Sequence, residues 1–235
     1  MNCLITGASL GIGRELAKKM ASIGYNLFLT YYSNQELCEK LQEELIEKYN
    51  IKCYIARCDL KDEEDIKNVI SLFKNYLGKL DVLVNNASTS MDNLFMDKTK
   101  KEFLEVLEVN LIGTFLISKY AIPLINENGK IINMASTDGI DTYSIYNLDY
   151  AISKAGIIQL TKSMALIFDN IKTIAIAPNW VNTESTNEMN QDYLKEELKR
   201  IGQEKLITKE KVVDAIIDSI NNKNIKSGEV IRIYE

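Results

Sequence analysis

The chain contains no histidine. That excludes a Ser-His-Asp triad, a histidine general base and any histidine-ligated zinc. Proton transfer near neutral pH falls instead to a tuned tyrosine, lysine, cysteine or carboxylate. Cysteine is scarce. Cys3, Cys38, Cys53 and Cys58 form no CxxC pair and no metal-ligand spacing, so they read as reduced thiols of a cytoplasmic protein, and no metal site is expected. Proline occurs only at Pro123 and Pro178, and no repeat, linker or low-complexity segment divides the chain. Basic runs are missing too, and the net charge of −5 argues against a nucleic-acid partner. No apolar stretch reads as long enough to cross a bilayer, so no membrane association is expected. An apolar strand is expected from Asn2, so no signal peptide is expected.

What is present is a regular alternation. Apolar strands are expected at 2–5, 26–31, 53–57, 81–84, 130–134 and 173–177, with a last one near 228–235. Helices are expected between them at 11–23, 34–49, 63–77, 100–126, 150–169 and 209–220. The helix-period residues Ile66, Val69, Ile70 and Phe73 illustrate the pattern. Such spacing means right-handed βαβ units. The expected fold is α/β, a single Rossmann-type doubly wound parallel sheet flanked by helices on both faces. At 235 residues, one domain spans 1–235.

Two segments carry chemistry. The first strand runs into Thr6-Gly7-Ala8-Ser9-Leu10-Gly11-Ile12-Gly13 and then a helix. Glycines allow close backbone approach, and the free N–H groups at a helix start attract a phosphate. The spacing is G-x-x-x-G-x-G, unlike the G-x-G-x-x-G fingerprint. The second segment is Tyr150-Ala151-Ile152-Ser153-Lys154. A phenol and an ammonium at i and i+4 share a helix face, and the ammonium is expected to lower the phenol's pKa. Twelve tyrosines make one such pair weak by itself; a cofactor site elsewhere gives it weight. Ser136 closes the apolar run 130–135, at the carboxyl edge where open parallel sheets bind ligands.

These residues, with Asp59, Asn85-Asn86-Ala87 and Asn110, resemble the short-chain dehydrogenase/reductase family from residue 1 to about Thr183. The likeness is to the compact branch that includes the 3-oxoacyl-acyl-carrier-protein reductases. It implies that Gly7, Ser9, Gly11, Ile12 and Gly13 hold the pyrophosphate and nearby ribose. Asp59 and Leu60 would meet the adenine, Asn86 and Ala87 the nicotinamide ribose, and Thr183 the carboxamide. Ser136 would hold the substrate oxygen, Tyr150 would exchange a proton with it, and Lys154 would bind ribose and tune Tyr150. Asn110 would kink its helix and hold a water of the proton relay. Read from the residues alone, Asn110 is a buried helix asparagine, Asp59 a helix cap and Asn85-Asn86 a turn. A homo-oligomer, dimer or tetramer, is also implied, through the helices at 100–126 and 150–169.

The chain departs from that pattern at Ser88 and Asn179, where glycine is usual, and in a short C-terminal tail. A left-handed backbone is the reason to expect asparagine at 179. The second strand ends at Tyr31 with no acid to repel a 2′-phosphate, which favours NADP, with NAD possible. The loop at 182–201 reads as a solvated substrate lid. The leading expectation is an NAD(P)-dependent oxidoreductase that moves a hydride between nicotinamide and a carbonyl or alcohol, on a small-molecule or carrier-bound substrate. The alternative is a cofactor-binding sensor or scaffold with little turnover. An enoyl reductase typically spaces its tyrosine and lysine seven apart, and Asn147 stands seven before Lys154.

Overall fold

A computed structural model of the chain describes residues 1–143 and 145–235. Seven strands form one sheet in the order β3-β2-β1-β4-β5-β6-β7. They are β1 (Asn2–Ile5), β2 (Asn26–Tyr31), β3 (Cys53–Arg57), β4 (Leu80–Asn85), β5 (Ile125–Met134), β6 (Lys172–Pro178) and β7 (Val230–Ile233). Every pairing is parallel. Central strands such as Cys3-Leu4-Ile5 and Val82-Leu83-Val84 are buried on both faces, which is why they read as continuous apolar runs.

Helices cover both faces. On one lie α1 (Gly11–Ser22), α2 (Gln35–Tyr49) and α9 (Lys209–Asn221), whose Leu16, Met20, Leu41, Val213 and Ile216 share a core with Ile5 and Leu29. On the other lie α3 (Glu63–Leu77), α5 (Gly113–Ala121) and α6 (Leu148–Ile167), whose Phe73, Ile117 and Met164 pack with Leu4, Phe28 and Leu83. Each such apolar side chain contributes about 1.5–3 kcal/mol on burial. Lys130 on β5 is buried and reaches α9's end, donating to the carbonyls of Ser219, Ile220 and Asn222. A cation there caps the helix C-terminus.

The expected helix at 100–126 is not continuous. α4 (Lys100–Leu107) leads into a π turn (Glu108–Ile112), then α5, then a 3₁₀ turn (Ile122–Leu124) that holds Pro123. Asn126 belongs to β5, which starts at Ile125 rather than Lys130. The register shifts between the Leu80↔Ile125 and Val82↔Lys130 pairs, and Asn128, at φ 65°, absorbs the extra residues. The absence of a membrane-length apolar stretch also needs correction: Lys100–Leu124 is long and apolar enough by length and hydropathy. In this fold the segment packs on α3 and α6, and Asn110 within it is fully buried.

The segment 182–201 contains α7 (Glu184–Glu188) and α8 (Gln191–Ile201). It is anchored by the Val181↔Ile207 bridge.

Candidate active site

The sheet order reverses at β1 and β4, so the loops after them part and leave a crevice at the carboxyl edge. The two loops are knitted together. The Thr6 hydroxyl accepts from the N–H groups of Asn86 and Ala87, and the Asn86 amide donates to the carbonyls of Thr6 and Gly7, all at 3.0 Å. Gly7 sits at φ +64°, and a Cβ there would lie 2.9 Å from Ala87 Cα; at Gly13 it would lie 2.5 Å from the Gly7 carbonyl oxygen. The glycine at 11 differs: beside it is open cleft, bounded only by Thr183 and Glu184.

That cleft holds about 690 Å³. Gly7, Ser9, Gly11, Ile12, Tyr31, Asp59 and Leu60 line one end, and Ser136, Tyr150 and Lys154 the other, with Asn86, Ala87 and Thr183 between. Gly13 stands behind the glycine loop, packed on Asn86. Asn110 is not among the lining residues. Its side chain donates to the Thr89 carbonyl and the Ser153 hydroxyl and accepts from the Thr89 N–H. From its π turn it therefore holds the loop after β4 against α6. Asp59 closes a turn by accepting from the Lys61 N–H.

Ser136 stands two residues past β5 and caps a 3₁₀ turn (Thr137–Gly139), accepting from the Asp138 N–H at 3.1 Å. The turn is clamped on α6, since a Cβ at Gly139 would lie 2.5 Å from the Ala155 nitrogen. Lys154 is buried and donates to the Met134 carbonyl at 2.8 Å, with its ammonium 5.1 Å from the Tyr150 ring centroid. The expectation that Lys154 lowers the Tyr150 pKa is corrected here. Burial, then the Asp138 charge, push the phenol above its ordinary value, while a hydrogen bond with Ser136 works the other way. The ammonium lies over the ring face and is spent on a carbonyl. Burial brings Lys154 itself down to about 7.

Several residues of the cleft escaped the sequence reading. Asp92, Asp138, Asn147 and Trp180 also line the cleft, while Met189 and Glu184 come from the segment 182–201 already expected as the lid. Glu184 enters the phosphate end: its carboxylate accepts from the Gly11 N–H and from Lys209, each at 3.0 Å. Burial opposes its ionisation, but bonds from its own N–H, Lys209 and Gly11 outweigh that and hold its pKa low. Lys98 and Asp149 form a buried ion pair at 3.0 Å that ties the loop after β4 to the start of α6. Only Asp149 had a signal, as the residue before the tyrosine. Ser88 and Asn179 are resolved plainly: among the described non-glycine residues only Asn50 and Asn128 have positive φ. Neither departure needs the left-handed backbone invoked for glycine.

The family profile described as Enoyl-(Acyl carrier protein) reductase matches residues 7–218. The 3-oxoacyl-[acyl-carrier-protein] reductase of Aquifex aeolicus is 32% identical over 235 residues, covering 98% of this chain and 94% of that protein. The chain belongs to the short-chain dehydrogenase/reductase family. The Staphylococcus aureus (strain Mu50) 3-oxoacyl-[acyl-carrier-protein] reductase is 35% identical over 201 residues, covering 84% and 80%. Among solved structures, a dehydrogenase/reductase of Sinorhizobium meliloti superposes with a TM-score of 0.92 at 25% identity, over 99% of this chain and 92% of that one. A Burkholderia cenocepacia short-chain dehydrogenase in complex with NADP gives 0.91 at 23% identity, over 99% and 95%, a likeness of fold. As a family member the chain is an NAD(P)-dependent oxidoreductase.

The residues fit a dinucleotide. The crevice has a glycine-walled end facing a helix N-terminus and a polar end holding a serine, a tyrosine and a lysine.

Proposed function

We propose that this chain reduces a ketone to an alcohol with NADPH, with Tyr150 as the proton donor. The observation that carries this reading is the meeting of Ser136, Tyr150 and Lys154 at one end of a cleft whose other end is the Gly7–Gly13 loop. Bound there, the nicotinamide supplies a hydride to the carbonyl carbon. Gly7, Ser9, Gly11 and Ile12 hold the phosphates, with Gly13 packed behind them, Asp59 and Leu60 the adenine, and Asn86, Ala87 and Thr183 the nicotinamide half. Ser136 donates a hydrogen bond to the substrate oxygen, and Tyr150 gives it a proton as the C=O π bond breaks. Donors aimed at a developing oxyanion stabilise the transition state. The raised Tyr150 pKa keeps the phenol protonated at neutral pH, which suits the reducing direction. Asn110 is a positioning residue for this site.

NADP is favoured over NAD. No acid follows Tyr31 on β2, and Arg57, paired in register with Tyr31 and bonded to Asp65 at 2.7 Å, lies 5.3 Å over the Tyr32 ring. A guanidinium at this edge suits a 2′-phosphate. One protein similar to this one in fold was solved with NADP. The relatives' names point to carrier-bound 3-oxoacyl substrates, and small ketones share the chemistry. A cytoplasmic setting suits the four free thiols. The molecule forms a homo-oligomer through apolar residues left exposed on α4–α5 (Leu104, Ile112, Phe115) and α6 (Ile152, Leu166, Ile167).

The test is Tyr150→Phe with a ketone the wild type accepts. The expected result is a loss of kcat of about 10²–10⁴-fold with NADPH binding retained. Unchanged turnover would overturn the assignment, and tighter binding of NADH than NADPH would overturn the cofactor preference.

A further inference from the structure

We propose that Lys98 and Asp149 are positioning residues for the reduction: one buried ion pair fixes Tyr150 and the cleft wall 88–92 in a single arrangement. This rests on the carbonyl-reductase reading and adds the residues that aim its acid.

Helix α6 starts without the usual local cap. Its N-cap residue is Asn147, whose side chain makes no capping bond. The first N–H groups of a helix have no carbonyl partner within it, and Tyr150, third residue of α6, carries one of them. That N–H donates instead to Asp149 Oδ1, at 3.0 Å. Asp149 is fully buried, and among the described residues only the Lys98 ammonium, at 3.0 Å, reaches its other oxygen. The Lys98 side chain is itself only 4% exposed. A helix start favours a carboxylate, but a buried one needs a counter-charge. Here the counter-charge comes from the segment between β4 and α4.

The same ammonium donates to the Met91 carbonyl. Nearby, the Asn93 N–H donates to the Tyr146 carbonyl at 2.8 Å and joins the same two segments. Ser88, Thr89, Ser90 and Asp92 of this stretch line the cleft. Lys98 thus holds the wall on one side and the helix of the proton donor on the other. The Tyr150 backbone is held at its carbonyl too. The Ser153 hydroxyl donates to it at 2.7 Å and accepts from the Asn110 amide at 3.0 Å. Lys98 and Asp149 complete the grip that Asn110 begins. A proton donor must lie within hydrogen-bond reach of the oxygen it protonates, and a displacement of about 1 Å can cost about 10²-fold in rate. A pair that served the fold alone would lower stability and leave the turnover of folded molecules unchanged.

The test is steady-state kinetics of intact Lys98→Met with NADPH and a ketone the wild type accepts, each rate taken per NADPH-binding site counted by fluorescence titration. The expected result is a fall in kcat of about 10²-fold, with NADPH affinity unchanged. The solvent deuterium isotope effect on kcat should grow, because the proton step becomes limiting. An unchanged kcat per site, a fall in kcat without a larger isotope effect, or loss of NADPH binding in a folded variant overturns the inference. If Lys98→Met does not fold, the double variant Lys98→Met/Asp149→Asn, which strands no charge, is judged by the same outcomes. Wild-type NADPH consumption with a panel of ketones reads the parent proposal separately. Where the wild type consumes none, the carbonyl-reductase reading fails and amide hydrogen exchange over 147–154 judges the pair. Faster exchange there in Lys98→Met supports the tie, and unchanged exchange overturns it.

Discussion

Lys154 is the residue whose surroundings differ most from what its spacing suggested. The i, i+4 rule places two Cβ atoms on one face but does not aim a four-carbon side chain, and here the ammonium turns to the Met134 carbonyl. The motif was legible; its electrostatics were not, because burial comes from strands far away in the chain. Burial of this group has a thermodynamic signature. Its folded pKa, about 7, lies below its ordinary 10.5, so between those values the unfolded chain binds more protons and stability rises with pH. The cost of burying the charge is felt in full below pH 7. In the unliganded protein, the Tm of Lys154→Met relative to wild type should therefore be highest at pH 6 and fall as pH rises toward 10, while turnover is lost throughout. Thermal melts across that range check this. A difference that grows with pH would contradict the sign.

At the scale of elements, strand and helix identities were readable from period and glycine position, and β2, β3 and α3 carry the expected bounds. The α4–α5 segment was not, since a π turn leaves no mark in hydrophobic periodicity and β5 opens with Ile125 followed by the polar run Asn126-Glu127-Asn128. Also hidden were contacts between elements distant in sequence. Glu184, first residue of α7, brings a carboxylate to the N–H of Gly11, where the proposed pyrophosphate site lies. Two anions compete there for one helix start. Glu184→Gln should therefore tighten NADPH binding several-fold, roughly 1 kcal/mol, as read by cofactor fluorescence, whereas weaker binding would mean that the carboxylate supports the loop. The Lys98–Asp149 pair is a second such contact. Lys98→Met strands a buried carboxylate and should destabilise the fold by about 3–5 kcal/mol, measured by urea unfolding. A loss under 1 kcal/mol would show that Asp149 finds water instead.

For the whole molecule, topology did most of the positioning. Once the strand order was fixed, residues 6–13, 86–87, 136 and 150–154 met at one sheet edge. This is why a family motif scattered over the sequence could be read as one site. The outer surface is less legible, because an exposed apolar residue looks the same in sequence whether water or another subunit covers it. Leu166, 86% exposed, and Phe115, 46% exposed, belong to the faces proposed to pair. Light scattering should give a dimer or tetramer, and Phe115→Glu should shift it toward smaller species; a wild-type monomer would overturn the pairing.

The four thiols offer one more use. Cys3, Cys38, Cys53 and Cys58 are free, nearly inaccessible, and held above the ordinary thiol range, first by burial. They sit on β1, on α2, on β3 and just past β3, all in the first quarter of the chain. A small alkylating reagent at neutral pH therefore finds no target until that region opens. Counting modified thiols by mass after timed pulses turns the protein into its own clock. One added label at a time would register fraying of the β3 edge, and four at once would register loss of the sheet.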